Sequence, residues 1–416
     1  MSTDAWDMVP LALVAQVTLG KMVQNSASEL ETVEQPYLHA ANVRDFGILD
    51  TDHSHRTMWF SPGEVDSLKV KSGDVVVVEG GAVGKSAYVK NDLPGYGFQN
   101  SILRVRAKKR VSDGRFIQYS LQSAYDSGEI SRQCSSVSLA HFPAEKINRF
   151  RVPYPSLEYQ QRIADYLDRE TAEIDAAVAD LDKYVELLEK RRRVLIAQSV
   201  TRGIGSDRTR IHPCSVPGGE GMTENWKQVP FRTLFRRIPK RTGYGDKELL
   251  SVYRDYGVIV KSDRDDNSNQ PGESLDDYQL VKPGDLVLNK MKTWQGSLGV
   301  SAYEGIVSPA YFVYEPQGDF DSWYMHYLLR SQPSIDYYGA HSKGIRVNQW
   351  DLQPEYLDKM KVRFPPLEIQ QRIADYLDRE TTEIDSLIAD STRLRDLLLK
   401  RRSVLITEVV TGRKQV

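Results

Sequence analysis

The sequence predicts an α/β (α+β) protein. It reads as two tandem globular domains joined by two long helices that form an antiparallel coiled coil, the whole arranged as a pseudo-twofold internal repeat. Three observations predict this. One stretch of the chain occurs twice, each copy carries a helical seam of apolar residues, and the segment before each copy alternates short apolar runs with turn residues.

Composition sets the bounds. The 416 residues suffice for two or three domains at roughly 150 residues each. Hydrophobic residues at 40% and charged residues at 27% exclude collagen-like, low-complexity and largely disordered chains. The 55 basic and 57 acidic side chains leave a formal charge of -2, so any hold on nucleic acid needs segregated basic groups rather than bulk charge. Cys134 and Cys214 are the two cysteines, which gives neither a disulfide framework nor a thiolate metal site and makes a reducing cytoplasm the simplest compartment. No run approaches about 18 apolar residues. The amino terminus lacks the basic-then-apolar pattern of an export signal, so a soluble intracellular protein without membrane contact is expected.

The duplication orders everything else. From Pro155 the chain reads P-S-L-E-Y-Q-Q-R-I-A-D-Y-L-D-R-E-T-A-E-I-D, and from Pro365 it reads P-P-L-E-I-Q-Q-R-I-A-D-Y-L-D-R-E-T-T-E-I-D. The match continues without a gap to Thr201 and Thr411, with about 30 identities in about 47 positions. Fainter echoes precede it. Arg44-Asp45-Phe46-Gly47 returns as Arg254-Asp255-Tyr256-Gly257, Lys71-Ser72-Gly73-Asp74 returns as Lys282-Pro283-Gly284-Asp285, and Val9-Pro10 resembles Val229-Pro230. The expected units are a first globular domain over 1–154, a first spacer helix over 155–203, a Gly- and Pro-rich linker over 204–225, a second domain over 226–364 and a second helix over 365–416.

In the first domain Lys71 to Asp74 forms a turn before the apolar run Val75 to Val78, and Phe116 to Ser127 reads as a helix. In the first spacer Ile163, Leu167, Glu170, Ile174, Ala177, Leu181, Tyr184, Leu188, Arg191 and Leu195 alternate steps of four and three, the a/d seam of a coiled coil. The second domain repeats the turn before Leu286 to Leu288, adds a run from Tyr311 to Tyr314, and places a helix over Ser322 to Ser331. The second spacer gives Ile373, Leu377, Glu380, Ile384, Leu387, Ser391, Leu394, Leu398, Arg401 and Leu405. Gly203 and Gly412 stop the helices. An antiparallel pairing of the copies brings Glu170 towards Arg401 and Glu380 towards Arg191, ion pairs that would offset the polar breaks in the seam, unless these long side chains lie along the flank and reach water. The basic clusters Lys190 to Arg193 and Lys400 to Arg402 suit the helix dipole, a partner protein or DNA phosphates.

A tandem of two variable halves, each ending in a helix that opens near P-x-L-E-x-Q-Q-R-I-A-D-Y-L-D and closes near K-R-R-x-V-L-I, resembles the specificity subunit of type I restriction-modification enzymes. Lys290 to Gly299 followed by Gly305 to Tyr311 is similar to segments in that family's recognition domains, whereas the first half departs to Glu79-Gly80-Gly81-Ala82-Val83-Gly84-Lys85-Ser86. The resemblance implies a non-catalytic chain in which each target recognition domain reads one half of a split, asymmetric site in double-stranded DNA. It implies as partners two methyltransferase subunits acting on adenine N6, docked on the spacers, and translocating restriction subunits. S-adenosylmethionine, ATP and Mg would then sit on those partners, with no cofactor or metal in this chain. Half-sites read from one face of B-DNA lie roughly 34 Å apart, a distance that a rigid helix pair can set.

Phosphates call for Lys, Arg and small polar donors on loops, and base edges for Arg, Lys, Asn, Gln or Ser. The candidates in the first half are Lys21, Arg44, Lys85, Gln99, Asn100, Ser101, Arg104 and Arg106, with Lys108, Lys109 and Arg110 on the backbone. Those in the second half are Lys290, Lys292, Gln295, Ser308, Lys343, Arg346, Asn348 and Gln349, with Trp294 and Tyr311 as supports or stacking surfaces. Arg232, Arg236, Arg237, Lys240 and Arg241 read as a phosphate-facing strip, and Arg44 and Arg254 either join the DNA contacts or hold the fold through Asp45 and Asp255.

Val75 to Ser86 imitates a phosphate-binding loop, but Glu79 stands where that motif needs Gly, and its carboxylate would repel phosphate. The sequence carries no Asp-Pro-Pro-Tyr or Asn-Pro-Pro-Phe tetrapeptide of a base methyltransferase, and His53 with His55 has no accompanying ligand cluster. A specificity subunit of a methylation-only or other defence system, and a coiled-coil scaffold that binds proteins, stay open as alternatives. The scaffold predicts DNA binding with no sequence preference and little salt dependence.

Overall fold

The computed structural model describes residues 6–52, 56–134, 141–204, 226–238, 247–263, 275, 277–344 and 350–416. Two compact units result, Met1–Asp182 with Thr392–Val416, and Lys183–Ser391. Each unit combines one globular half, the first part of the helix that follows it and the last part of the other long helix.

In the first unit, strands β1 (Ala15–Leu19), β2 (Asp74–Val78), β3 (Ser86–Tyr88) and β4 (Ile102–Ala107) form a sheet in the order β1-β4-β2-β3, with every neighbour antiparallel. The run Val75 to Val78 has apolar residues at each position because both faces of β2 are covered. Val75 and Val77 pack with Ile117 and Leu121, while Val76 and Val78 pack with Leu38, Met58 and Phe60 on the other face. The turn into β2 needs Gly73 at φ +91°, and the Asp74 carboxylate closes it by accepting from Lys71 N at 2.8 Å. Helix α1 (Gly114–Asp126) is capped by Asp113, whose side chain accepts from Arg115 N and Phe116 N. Helix α2 (Leu157–Arg202) follows.

The second unit repeats the plan. Strands β5 (Phe235–Arg237), β6 (Leu286–Asn289), β7 (Leu298–Val300) and β8 (Tyr311–Pro316) are ordered β5-β8-β6-β7, again antiparallel throughout. Asp285 accepts from Lys282 N at 2.8 Å, Gly284 lies at φ +92°, and helix α3 (Ser322–Leu329) is capped by Asp321. Helix α4 (Leu367–Val410) closes the chain. Sequence similarity fades in the globular halves, yet strand order, turn and cap recur.

Within each unit the long helices run antiparallel. In the first, Arg402 pairs with Asp175 at 2.8 Å and Arg395 with Asp182 at 3.3 Å, so the chain climbs on one helix as it descends on the other. In the second, Arg192 pairs with Asp385 at 2.9 Å, the same contact carried through the repeat. These pairs correct the expected ones. Arg191 and Arg401 are exposed, and the cations beside Glu170 and Glu380 are Arg169 and Arg379, each at 3.5 Å. A helix drifts about 20° per heptad against a strict 3.5-residue repeat, enough to bring the next residue inward by the far end of the seam.

The seam is also corrected in extent. Ile163, Leu167, Ile174, Leu188, Ile373, Leu377, Ile384 and Leu405 are buried, Leu181, Leu195 and Leu398 are half-buried, but Tyr184 is 43% exposed and Leu394 49%. The buried part faces more than a second helix. Ile163, Leu167 and Ile174 share one cluster with Leu405, Ile406 and Val409 and with Phe116 and Tyr119 of α1, so burial is supplied by the globular half and stops where that half ends.

Polar contacts fix this docking in both units. Gln160 accepts from Asp113 N at 3.0 Å and donates to Pro155 O at 2.9 Å. Gln370 does the same to Asp321 N at 2.9 Å and Pro365 O at 2.7 Å. Tyr119 donates to Asp168 at 2.7 Å and Tyr327 to Asp378 at 2.6 Å. The first glutamine of the repeated Q-Q pair thus serves the helix cap, while Gln161 is exposed. Gln160→Leu strands one buried and one half-buried backbone group and should lower stability by about 2 kcal/mol, whereas Gln161→Leu should change it by less than about 0.5 kcal/mol. Urea unfolding of the two variants checks this, and equal losses would refute it.

Candidate nucleic-acid interface

The residues singled out in the first half divide between the two ends of its sheet, Lys21, Lys85 and Gln99 to Ser101 at the end where Val78 faces Ile102 and Arg106 to Arg110 at the end where Asp74 faces Arg106, and most of their cations are already committed. Lys21 sits in a bridge beside Gln99 and pairs with Glu64 at 2.6 Å and Glu31 at 3.1 Å. Burial opposes its charge, but the hydrogen bonds to those two carboxylates hold its pKa raised. Arg104 is 3% exposed and donates to Ser67 O, Lys69 O and Thr18 Oγ1, with Phe98 5.5 Å from its guanidinium. Arg106 makes a two-pronged contact to the buried Asp74 at 2.6 and 2.7 Å.

These three residues, expected on DNA, hold the framework instead. Their partners are the carboxylates of Glu31, Glu64 and Asp74, the carbonyls of Ser67 and Lys69 and the Thr18 hydroxyl; Arg104 Nε is buried without a hydrogen-bond partner, but both of its Nη atoms are engaged within the fold. Lys85 pairs with Asp45 at 2.7 Å and Arg44 with Asp50 at 3.2 Å, so the Arg44 to Asp45 pairing is replaced by two separate ones. Gln99, Asn100 and Ser101 form a half-buried turn whose Ser101 Oγ accepts from Ala40 N at 3.2 Å. Lys108, Lys109 and Arg110 are exposed, with Lys108 donating to Ala12 O at 2.8 Å. The phosphate-loop imitation is a hairpin, since β2 runs through Glu79 to Lys85 into the antiparallel β3 rather than into a helix.

The second half gathers cations and rings at the end of its sheet where Asn289 faces Tyr311. The Arg237 guanidinium lies 4.1 Å from the centre of the Phe312 ring and the Lys290 ammonium 4.7 Å from the same centre. Lys290 also donates to Pro309 O. Its pKa is lowered by burial and by neighbouring Arg237, with Asp351 opposing. Trp294 donates from its indole to Met291 O at 3.1 Å and sits 5.0 Å from Trp350, centre to centre. Lys292 and Lys343 are exposed, Lys343 pairing across a short ladder with Asp351. Ser308 O accepts from Tyr311 N at 3.1 Å, Gln295 is half-buried, and burial raises the Tyr311 pKa.

Arg232 is exposed, Arg236 pairs with Glu315 at 3.2 Å, and Arg254 contacts Asp255 at 3.9 Å. Lys240, Arg241, Arg346, Asn348 and Gln349, together with His53 and His55, lie outside the described residues. Sequence reasoning missed Phe312, Trp350 and Asp351. The available signal was the pairing of a strand aromatic with the cations of the neighbouring strand and loop, which favours a ring flanked by charge.

Among the described residues, no group of three or more His, Cys, Asp or Glu side chains is placed to hold a metal ion, and no helix is long and apolar enough to cross a membrane.

Two sheet-ended heads of one plan, each locked to paired long helices, define a duplicated protein of mixed helix and strand. Residues 4–180 match the family model described as the type I restriction modification DNA specificity domain. The chain is 24% identical over 341 residues to the type I restriction enzyme StySPI specificity subunit of Salmonella potsdam, covering 78% of this chain and 67% of that one. It is 21% identical over 205 residues to the EcoKI specificity subunit of Escherichia coli K12, covering 46% and 44%. A chain solved in work on complex assembly and conformational transition of the type I R-M system shares the fold over 98% of both chains, with a TM-score of 0.71 and 15% identity. The HsdS subunit from Thermoanaerobacter tengcongensis matches over 98% of this chain and 97% of its own, at TM-score 0.52 and 15% identity. Residues 4–180 thus carry the type I restriction modification DNA specificity domain, and the chain is similar to type I specificity subunits over most of its length.

Arg104→Met should lower stability by about 2 kcal/mol through its stranded carbonyl partners, with the DNA affinity of the folded fraction unchanged. Lys292→Ala should leave stability within about 0.5 kcal/mol and weaken DNA binding. Thermal unfolding paired with fluorescence anisotropy separates the two, and the reverse pattern would overturn the assignment.

Proposed function

We propose that this chain is the DNA-reading, non-catalytic subunit of a type I restriction-modification complex acting in the cytoplasm, each globular half reading one part of a bipartite asymmetric site. The observation that carries the proposal is the recurrence of one sheet, in one strand order, with unlike residues at the same end: Arg237 and Lys290 around Phe312 in one copy, Glu79 and Lys85 in the other. A common frame with divergent tips suits two readers of different sequences. Base contacts would come from the tips, and phosphate contacts from exposed cations such as Lys108, Lys109, Arg232 and Lys292.

The spacers would set the half-site distance and carry the partners. Each keeps a second apolar stripe in the open: Tyr184, Leu187 and Val194 on α2, and Leu394, Leu397 and Val404 on α4, between 43% and 56% exposed. Stripes of equal spacing on the two copies suit two identical partners, the methyltransferase subunits, with restriction subunits joining in turn. S-adenosylmethionine, ATP and Mg would belong to those partners, and adenine N6 methylation would be their chemistry.

Methylome sequencing with and without the gene tests the proposal. Loss of one split, asymmetric methyladenine motif is expected, and an unchanged methylome would remove the reading. In the same assay, four extra helical residues in one spacer, roughly 6 Å of rise, should lengthen the unspecified gap between the half-sites. An unaltered gap would count against the spacer as a ruler.

A further inference from the structure

The two heads oppose each other in charge at one structurally equivalent position. Glu79 directly follows β2, and its N donates to Ser101 O at 2.9 Å, one residue before β4 begins. Lys290 directly follows β6, and its N donates to Ala310 O at 3.1 Å, one residue before β8 begins. The ladder registers agree, Val78 lying opposite Ile102 and Asn289 opposite Tyr311. At this position one head carries a carboxylate and the other an ammonium.

The surroundings of Glu79 suit an acceptor that meets a ligand. From Gly80 to Gly84 the loop holds no polar side chain. A Cβ on Gly81 would meet nothing within 4 Å, so a nucleic acid can approach the backbone beside the carboxylate. The loop is nevertheless fixed, because Phe142 N donates to Glu79 O at 2.8 Å. Lys85, the nearest cation in the loop, is paired with Asp45. The contact of Glu79 with His141 Nδ1 is long, 3.5 Å, and that histidine side chain is 54% exposed. A charge-assisted hydrogen bond measures about 2.7–2.9 Å, so the carboxylate keeps accepting capacity.

We propose that Glu79 is a specificity-determining residue of the first head, accepting a hydrogen bond from the exocyclic amino group of a cytosine or adenine in its half-site. The inference rests on the reading of these loops as the DNA-facing ends. In the major groove only cytosine N4 and adenine N6 present donors, whereas guanine O6 and thymine O4 would face the carboxylate with a second acceptor. Glu79 therefore selects as much by repelling keto bases as by binding amino bases. Lys290, at the equivalent place, has the opposite preference available to it.

The test uses the full chain assembled with its methyltransferase subunits, read by methylome sequencing and by methylation of duplexes that vary one base pair at a time. Glu79→Lys should move one position of one half-site from an amino-bearing to a keto-bearing base and leave the other half-site unaltered. The near-isosteric Glu79→Gln, which tolerates either edge, should reduce discrimination at that same position by roughly tenfold and guards against a folding defect in the charge reversal. Identical preferences at every position in both variants would overturn the assignment. A motif that does not depend on the chain at all would instead overturn the reading beneath it, and the assignment would fall with it.

Discussion

An arginine-aspartate pair that occurs twice, Arg402 with Asp175 and Arg192 with Asp385, aligns the long helices within each unit. Arg402 is 4% exposed and also donates to Phe46 O at 3.1 Å, with the Phe46 ring 5.2 Å from its guanidinium. One side chain thereby ties the far end of α4 both to the near part of α2 and to the repeated Arg-Asp-Phe-Gly turn of the globular half. A buried cation of this kind strongly resists any register that separates it from its carboxylate. The apolar seam supplies burial, but an apolar seam alone tolerates slippage. The charged pair specifies one antiparallel alignment, and with it the exchange by which each globular half is completed by the helix that belongs to the other.

That constraint explains the distribution of sequence similarity. Residues that lock head to helix, such as Gln160 and Gln370 or Tyr119 and Tyr327, act on backbone and carboxylate groups shared by both units and are repeated. The sheet tips answer to no shared partner, and Glu79 and Lys290 have parted company in charge. Near-neutrality also becomes intelligible. Lys21, Lys85, Arg104 and Arg106 look like a basic surface when counted, yet they are spent within the fold, and the cations left at the tips of the first head are fewer than its composition suggests.

The tandem organisation, the turns into β2 and β6, the helices α1 and α3 and the two long helices were all legible, because ungapped repetition, Gly-Asp turns and heptad spacing are local signals. The identity of the ion-paired arginine was not, since a one-residue choice between Arg401 and Arg402 depends on helix drift accumulated over several turns. Nor was the fate of the cations in the first head. Whether Arg106 meets a phosphate or Asp74 is decided by strand register, which brings residues 32 apart in sequence into a two-pronged contact. The Phe312 cluster stayed hidden for the same reason, its ring, Arg237 and Lys290 coming from two strands and the loop that follows a third.

A charge-swap cycle on Asp175 and Arg402, followed by equilibrium unfolding of the full chain, measures whether this pair sets the helix register. Asp175→Arg and Arg402→Asp should each destabilise the protein, and the double variant should recover about 1 kcal/mol or more relative to the sum of the two. Strict additivity would show two independent residues and not a contact that sets the register.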